Sequence, residues 1–125
     1  MRLIIVFIIS LFLAGCSEVT RENTVLPFME KSGIFTAYNA EAAQTDSTPL
    51  ITASGQKVNR GIIANNCLPF GTKIEVNNEV FEVQDRMHER YGCDCFDIFM
   101  WDYQEARQFG KQELNYKIVE DACSS

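Results

Sequence analysis

Lys73-Ile74-Glu75-Val76-Asn77-Asn78-Glu79-Val80-Phe81-Glu82-Val83-Gln84-Asp85 is the stretch that decides the fold class. Apolar and polar residues alternate with a period of two over Lys73–Val76 and again from Phe81 to Gln84 within the strand-like run Val80–Gln84, the pattern of half-buried strands, and Asn77-Asn78 between them is a turn signal. The same short runs recur from residue 33 onward, at Ile34–Tyr38, Val58–Ile63, Phe96–Met100 and Tyr116–Val119, separated by Ser54-Gly55, Pro69-Phe70-Gly71 and Tyr91-Gly92. One helix is expected over Asp102–Gly110, with Asp102 as N-cap, Gly110 as the stop, and Ala106 and Phe109 facing inward. Six short strands and one brief helix in about 90 residues imply an all-β chain closed into a small barrel, because closure removes exposed sheet edges. Residues 40–53 have the weakest periodicity, and a loop of that length in a compact domain is more often functional than idle.

The chain has 125 residues with a formal charge of −6, so affinity for nucleic acid is not expected: phosphate backbones are bound mainly by clustered Lys and Arg. Met1 and Arg2, the apolar run Leu3–Phe12 and the small residues Ala14 and Gly15 have the outline of a signal peptide over residues 1–15. The run is too short for a transmembrane helix, which needs about 20 apolar residues. Leu13-Ala14-Gly15-Cys16 resembles the lipobox of bacterial lipoproteins, which implies lipidation of Cys16 and a membrane anchor. Ser17 is not the Asp that commonly holds such proteins at the inner membrane. The expected address is therefore the cell envelope, at the outer membrane facing the periplasm in a Gram-negative cell. Residues 16–32 are read as the lipidated cysteine and a tether, with a short docking segment at Val25–Met29, and residues 33–121 as the domain. The tether reaches at most about 50 Å, so the domain works close to its membrane.

Cys67, Cys93, Cys95 and Cys123 remain, an even number in an exported chain, which favours two disulfides in any of three connectivities. Cys93 and Cys95 are too close to bridge each other readily, so each is expected to pair with Cys67 or Cys123. A zinc site on His88, Cys93 and Cys95 matches no standard ligand spacing.

Asp46, Asp85 and Asp97 each fall where a strand pattern meets a loop or turn. Asp97 stands out because it interrupts the apolar run Phe96-Asp97-Ile98-Phe99, where an aspartate is intrinsically unfavourable. A partly desolvated carboxyl near a second carboxylate has its pKa raised and can serve as a general acid near neutral pH. A salt bridge from Asp97 to Arg86 or Arg90 is the structural alternative.

Phe35-Thr36-Ala37-Tyr38-Asn39, Gln44-Thr45-Asp46, Ile51-Thr52-Ala53-Ser54-Gly55, Gly61-Ile62-Ile63-Ala64, Leu68-Pro69-Phe70-Gly71-Thr72, Asp85-Arg86-Met87, Phe96-Asp97-Ile98-Phe99 and Glu105-Ala106-Arg107-Gln108-Phe109-Gly110 together resemble the three-aspartate (3D) domain family, which is similar to the catalytic domain of membrane-bound lytic transglycosylase A. The resemblance runs in order from residue 33 to about residue 119. It implies a six-stranded double-psi β-barrel and lytic cleavage of the β-1,4 bond between N-acetylmuramic acid and N-acetylglucosamine in peptidoglycan, leaving a 1,6-anhydro product. It implies Asp97 as the acid and then base, Asp85 as its catalytic neighbour, and Asp46 closing the cleft from the long loop. Asp46, Thr36, Tyr38, Thr52, Ser54 and Arg86 are the expected substrate-binding residues. Two features depart from the relatives: the stretch Ile63–Pro69 carries no acid, and Arg86 and Met87 replace small residues.

The implied partners are peptidoglycan glycan strands and, through the anchor, a membrane; no cofactor or metal is expected, and the chain is read as a monomer. The alternative is a non-catalytic glycan-binding or wall-loosening barrel of the expansin type, and a third reading is an envelope lipoprotein that binds a protein. Trp101 and Tyr103 would offer a stacking platform, although a tryptophan just past a strand is more often core. His88 lacks the companions of a triad, and Ser54 lacks the flanking glycines of a nucleophile elbow.

Overall fold

A computed structural model describes residues 29–40 and 50–122. Cys16, Asp46 and Cys123, and with them the leader, most of the tether and the middle of the long loop, lie outside the described residues.

The chain runs β1 (Lys31–Tyr38), β2 (Ile62–Ala64), β3 (Lys73–Val76), β4 (Glu79–Asp85), β5 (Cys95–Phe99), α1 (Tyr103–Phe109) and β6 (Gln112–Glu120). The strands close in the order β1-β5-β2-β4-β3-β6. Two parallel pairs, β1 with β5 and β2 with β4, are set among antiparallel neighbours. Parallel partners require crossover connections, and the two interlocked crossovers make the barrel double-psi.

Closure is carried by β6, which pairs antiparallel with β1 on one side and β3 on the other. The alternation around Asn77-Asn78 does form a hairpin. Val76 faces Glu79, and both asparagines take positive φ, 51° and 63°, the geometry of a two-residue turn whose twist matches its strands. The expected strand over Val58–Ile63 is shorter and later. Ile62–Ala64 pair, while Asn59–Gly61 turn, with Ile62 N donating to Asn59 O and Gly61 at a φ of 100°. Val58 is buried without joining a strand.

Inward-facing residues of all six strands build the core: Phe35, Ile63, Ile74, Val76, Phe81, Val83, Phe96, Ile98 and Tyr116. Phe35 stacks on Phe96 with ring centres 4.7 Å apart, and Tyr116 meets both rings edge-on. Such aromatic pairs add about 0.5–1.5 kcal/mol each beyond the area they bury. The stack fixes a close β1–β5 approach that only glycine permits at position 33, where a Cβ would come within 2.9 Å of Asp94 O and of the Phe96 ring. A second, smaller cluster of Tyr38, Val58, Ile62, Ala64 and Phe99 lies on the opposite face of β1, β5 and β2. It is this outer face that carries the candidate site. Asp102 caps α1 by accepting from Glu105 N, and Ala106 is the helix's buried contact, as its sequence implies.

Candidate functional site

A row of residues crosses four adjacent strands. Thr36 on β1 faces Asp97 on β5, Asp97 faces Ala64 on β2, and Ala64 faces Asp85 on β4. Strands lie about 4.8 Å apart, so the backbones bearing the two aspartates are separated by about 10 Å with only a methyl group between them.

Strict alternation would not place Asp85 there. Phe81 and Val83 point into the core, and the same parity would send Asp85 inward with them. A bulge intervenes: Ile63 pairs with Val83, but Ala64 pairs with Asp85, so Gln84 is the extra residue on β4. The bulge brings the Asp85 carboxylate to the face shared by Asp97.

Asp85 is held by three donors. Tyr38 Oη donates to Oδ2 at 2.8 Å, and the backbone N–H groups of Ala53 and Arg86 donate to Oδ1 at 2.9 Å each. Tyr38 reaches Asp85 by lying across the small residue Ala64, with its ring edge-on to Phe99 at 5.4 Å. Burial, the Asp85 charge and the hydrogen bond to it push the Tyr38 phenol well above its ordinary pKa. It therefore stays a donor.

Among the described residues, the side-chain partner of Asp97 is Thr36, whose hydroxyl donates to Oδ1 at 2.9 Å. Burial pushes the Asp97 carboxyl up to about 6; the Thr36 bond opposes the shift and the Asp85 charge adds to it. The site thus pairs an acceptor held by three donors, Asp85, with a carboxyl, Asp97, that keeps its proton up to about pH 6. Neither Arg86 nor Arg90 forms a salt bridge with Asp97 among the described residues.

The segment after the long loop folds against this row. Thr52 and Gln56 close a turn, Thr52 Oγ1 lies 2.9 Å from Ser54 Oγ and accepts from Gln56 N, and Ser54 N donates to Gln84 O. Thr52 is 4% exposed, and its hydroxyl shapes the turn that aims Ala53 N at Asp85. Arg86 is close by, but its Nη1 donates to Asn65 O and Leu68 O, and its guanidinium lies 3.8 Å over the Phe70 ring. The cation expected to meet substrate stitches the Asn65–Phe70 turn to β4. Trp101, favoured as core, is instead 57% exposed, and it touches Phe99 edge-on.

Cys67 is bonded to Cys93, one of the expected pairings. Cys95 is a free thiol in the described structure, so the second expected disulfide is not formed among these residues.

Asn65 was not singled out by the sequence. It is fully buried; its Oδ1 accepts from Cys67 N and Leu68 N, and its Nδ2 donates to Cys93 O and Cys95 O. Asn66 does the same on the outside, donating to His88 O and Tyr91 O and accepting from Met87 N. The two side chains join the loop after β2 to the loop after β4. The visible signal was an Asn-Asn pair directly before a half-cystine. An aspartate at position 65 would keep the two acceptor roles and lose both donor roles, which accounts physically for an amide in a stretch without acids.

No family model matches the sequence, and no curated protein matches it. Among solved structures, the chain is similar to an apo expansin from Clavibacter michiganensis, at 16% identity and a TM-score of 0.48, over 74% of this chain and 52% of that one. The chain therefore spans about half the length of that expansin chain.

Proposed function

We propose that the protein acts on peptidoglycan glycan strands at the cell envelope, as a lytic transglycosylase of the three-aspartate domain type with Asp97 as the single acid and base. The observation that carries this reading is the environment of Asp97: a half-buried carboxyl in a strand, hydrogen-bonded to Thr36, with its pKa pushed up to about 6. The protonated carboxyl gives its proton to the glycosidic oxygen as the bond from C1 to that oxygen breaks. The resulting carboxylate takes the proton of the muramoyl 6-hydroxyl while that oxygen bonds to C1. Protons and electron pairs balance with no water consumed, so one carboxyl serves where hydrolysis needs two. Asp85, fixed by Tyr38, Ala53 and Arg86, supplies the negative charge that favours the protonated state of Asp97.

A second reading keeps the groove and drops turnover: a glycan-binding, wall-loosening barrel of the expansin type. The position of Asn65 favours it, because the relatives' additional acid is replaced here by a buried amide tied into the loop framework.

Incubating oxidised residues 17–125 with purified sacculi, followed by mass spectrometry of the released material, separates the two readings. Anhydro-muropeptides from the wild type and none from Asp97→Asn are expected. Sedimentation of both proteins with sacculi without any release would overturn the catalytic reading and leave the binding one.

A further inference from the structure

Arg90 has no use in the chemistry proposed for Asp97. Elsewhere among the described residues Arg60, Lys73 and Lys117 form ion pairs with Glu105, Glu120 and Glu75, and Arg86 is spent on the carbonyls of Asn65 and Leu68. Arg90 is exposed and pairs with no acid among the described residues, Glu89 and Asp94 close to it in sequence included. Its guanidinium lies 4.8 Å over the Tyr91 ring, and Nη2 donates to Tyr91 Oη at 2.8 Å. Lys31, Lys57, Arg107 and Lys111 also lack an ion pair there, but of these five cations Arg90 alone is seated on an aromatic ring. The ring holds the cation and leaves Nε and Nη1 without a protein acceptor among the described residues, donors set in the planar fork that matches a carboxylate.

The turn that carries Arg90 is fixed beside the carboxylate row. Tyr91 N donates to His88 O at 3.0 Å and Arg90 N to His88 Nδ1 at 3.2 Å, which closes His88–Tyr91 on itself. Asn66 then holds the turn from below, donating to His88 O and Tyr91 O and accepting from Met87 N. Asn66 follows by two residues Ala64, which separates Asp97 from Asp85, so about 7 Å of extended chain lies between the row and the amide that carries the turn. Met87, at the foot of the turn, packs on the cluster of Tyr38, Val58, Ile62, Ala64 and Phe99, the cluster on the face that bears the row. The Cys67–Cys93 bond ties down the chain just past Tyr91.

Peptidoglycan is itself anionic. A muramoyl residue bears its stem peptide on the lactyl group at C3, on the same sugar whose C1–oxygen bond would break, so the peptide leaves the cleft within a sugar's width of Asp97. Its free carboxylates face the Asp85 charge and a chain of net charge −6, and a cation at the rim of the cleft offsets both. We propose that Arg90 takes a carboxylate of the stem peptide, so that the protein selects peptide-bearing strands over denuded glycan. The inference rests on peptidoglycan being the substrate, and it gives Arg90 the substrate-binding role expected of Arg86.

The test titrates oxidised residues 17–125 carrying Asp97→Asn, so that binding is read without turnover, with soluble glycan strands that keep their peptides and with the same strands stripped of peptide by an amidase. The peptide-bearing strands are expected to bind about fivefold more tightly at low salt, with the ratio falling toward one as salt is raised. Arg90→Gln is expected to bring the two affinities together, and Arg90→Lys, which keeps the charge and loses the fork, to retain only part of the ratio. Far-ultraviolet circular dichroism of the two variants checks that the barrel is intact. Equal affinity for the two strands before Arg90 is changed overturns the proposal and leaves peptidoglycan binding standing. A preference that survives Arg90→Gln overturns it equally, because the carboxylate is then read elsewhere. Binding of neither strand would overturn the reading of peptidoglycan as the ligand, and the role of Arg90 with it.

Discussion

At Asp97, folding and catalysis demand the same protonation state. Its carboxyl pKa stands at about 6 in the folded chain against an ordinary 3.8, so the native state binds the proton more tightly than the unfolded one. The stability this contributes is fully present below pH 3.8 and is lost as pH rises through 6. Asp97→Asn keeps an oxygen for the Thr36 hydroxyl and removes the charge. We expect it to stabilise the protein by roughly 2 kcal/mol at pH 8 and to change little at pH 3.5, measured by urea unfolding at the two pH values. For the same reason, anhydro-product formation by the wild type is expected to fall about tenfold per pH unit above the Asp97 pKa, read from initial rates. Asp97 was legible in the sequence because it broke an apolar run. Its partners were not: Thr36 and Asp97 are joined by a parallel pairing that no local pattern announces. The three donors to Asp85 come from β1, from the Thr52–Gln56 turn and from its own neighbour.

Among the elements, the hairpin around Asn77-Asn78 and helix α1 were readable because their signals are local: a two-residue turn in one case, a cap and a stop in the other. β6 is longer than its apolar core, Gln112–Glu120 against an expected Tyr116–Val119, because it closes the barrel and its ends gain ladder partners on both β1 and β3. The bulge at Gln84 was not readable, since it arises from the register of β4 against β2. The loops that flank the site depend on Asn65, and that dependence is testable. Asn65→Asp would turn two good hydrogen bonds to Cys93 O and Cys95 O into contacts between a buried carboxylate and carbonyl oxygens. The loss is expected to be about 2–4 kcal/mol in urea unfolding, with no gain of lytic activity. Asn65→Ala, which leaves four backbone groups unpaired and adds no charge, is expected to be less destabilising than the aspartate above neutral pH.

For the molecule as a whole, closure and cross-linking do different work. The barrel closes through β6, while Cys67–Cys93 ties the loop after β2 to the loop after β4, at the barrel end where the Asn65–Phe70 turn is stitched to Arg86. An even cysteine count announced cross-linking, but the partner of each cysteine depends on which loops share an end of the barrel, and that is a property of the closed topology. The bond spans 26 residues of chain, and loop-closure entropy for that length corresponds to about 3–4 kcal/mol. The core stack of Phe35, Phe96 and Tyr116 lies elsewhere and does not depend on the bond. Reduction is therefore expected to leave a folded barrel of lower stability, not an unfolded chain: far-ultraviolet circular dichroism unchanged at 25 °C, and the urea midpoint lowered by the amount that 3–4 kcal/mol represents, roughly 2 M for a slope of about 2 kcal/mol per M. Cys67→Ser/Cys93→Ser should reproduce the shift, which separates this bond from any contribution of Cys95. If reduction left the urea midpoint unchanged, the amide and guanidinium bonds of Asn65, Asn66 and Arg86 would be sufficient to hold the two loops together without the covalent link.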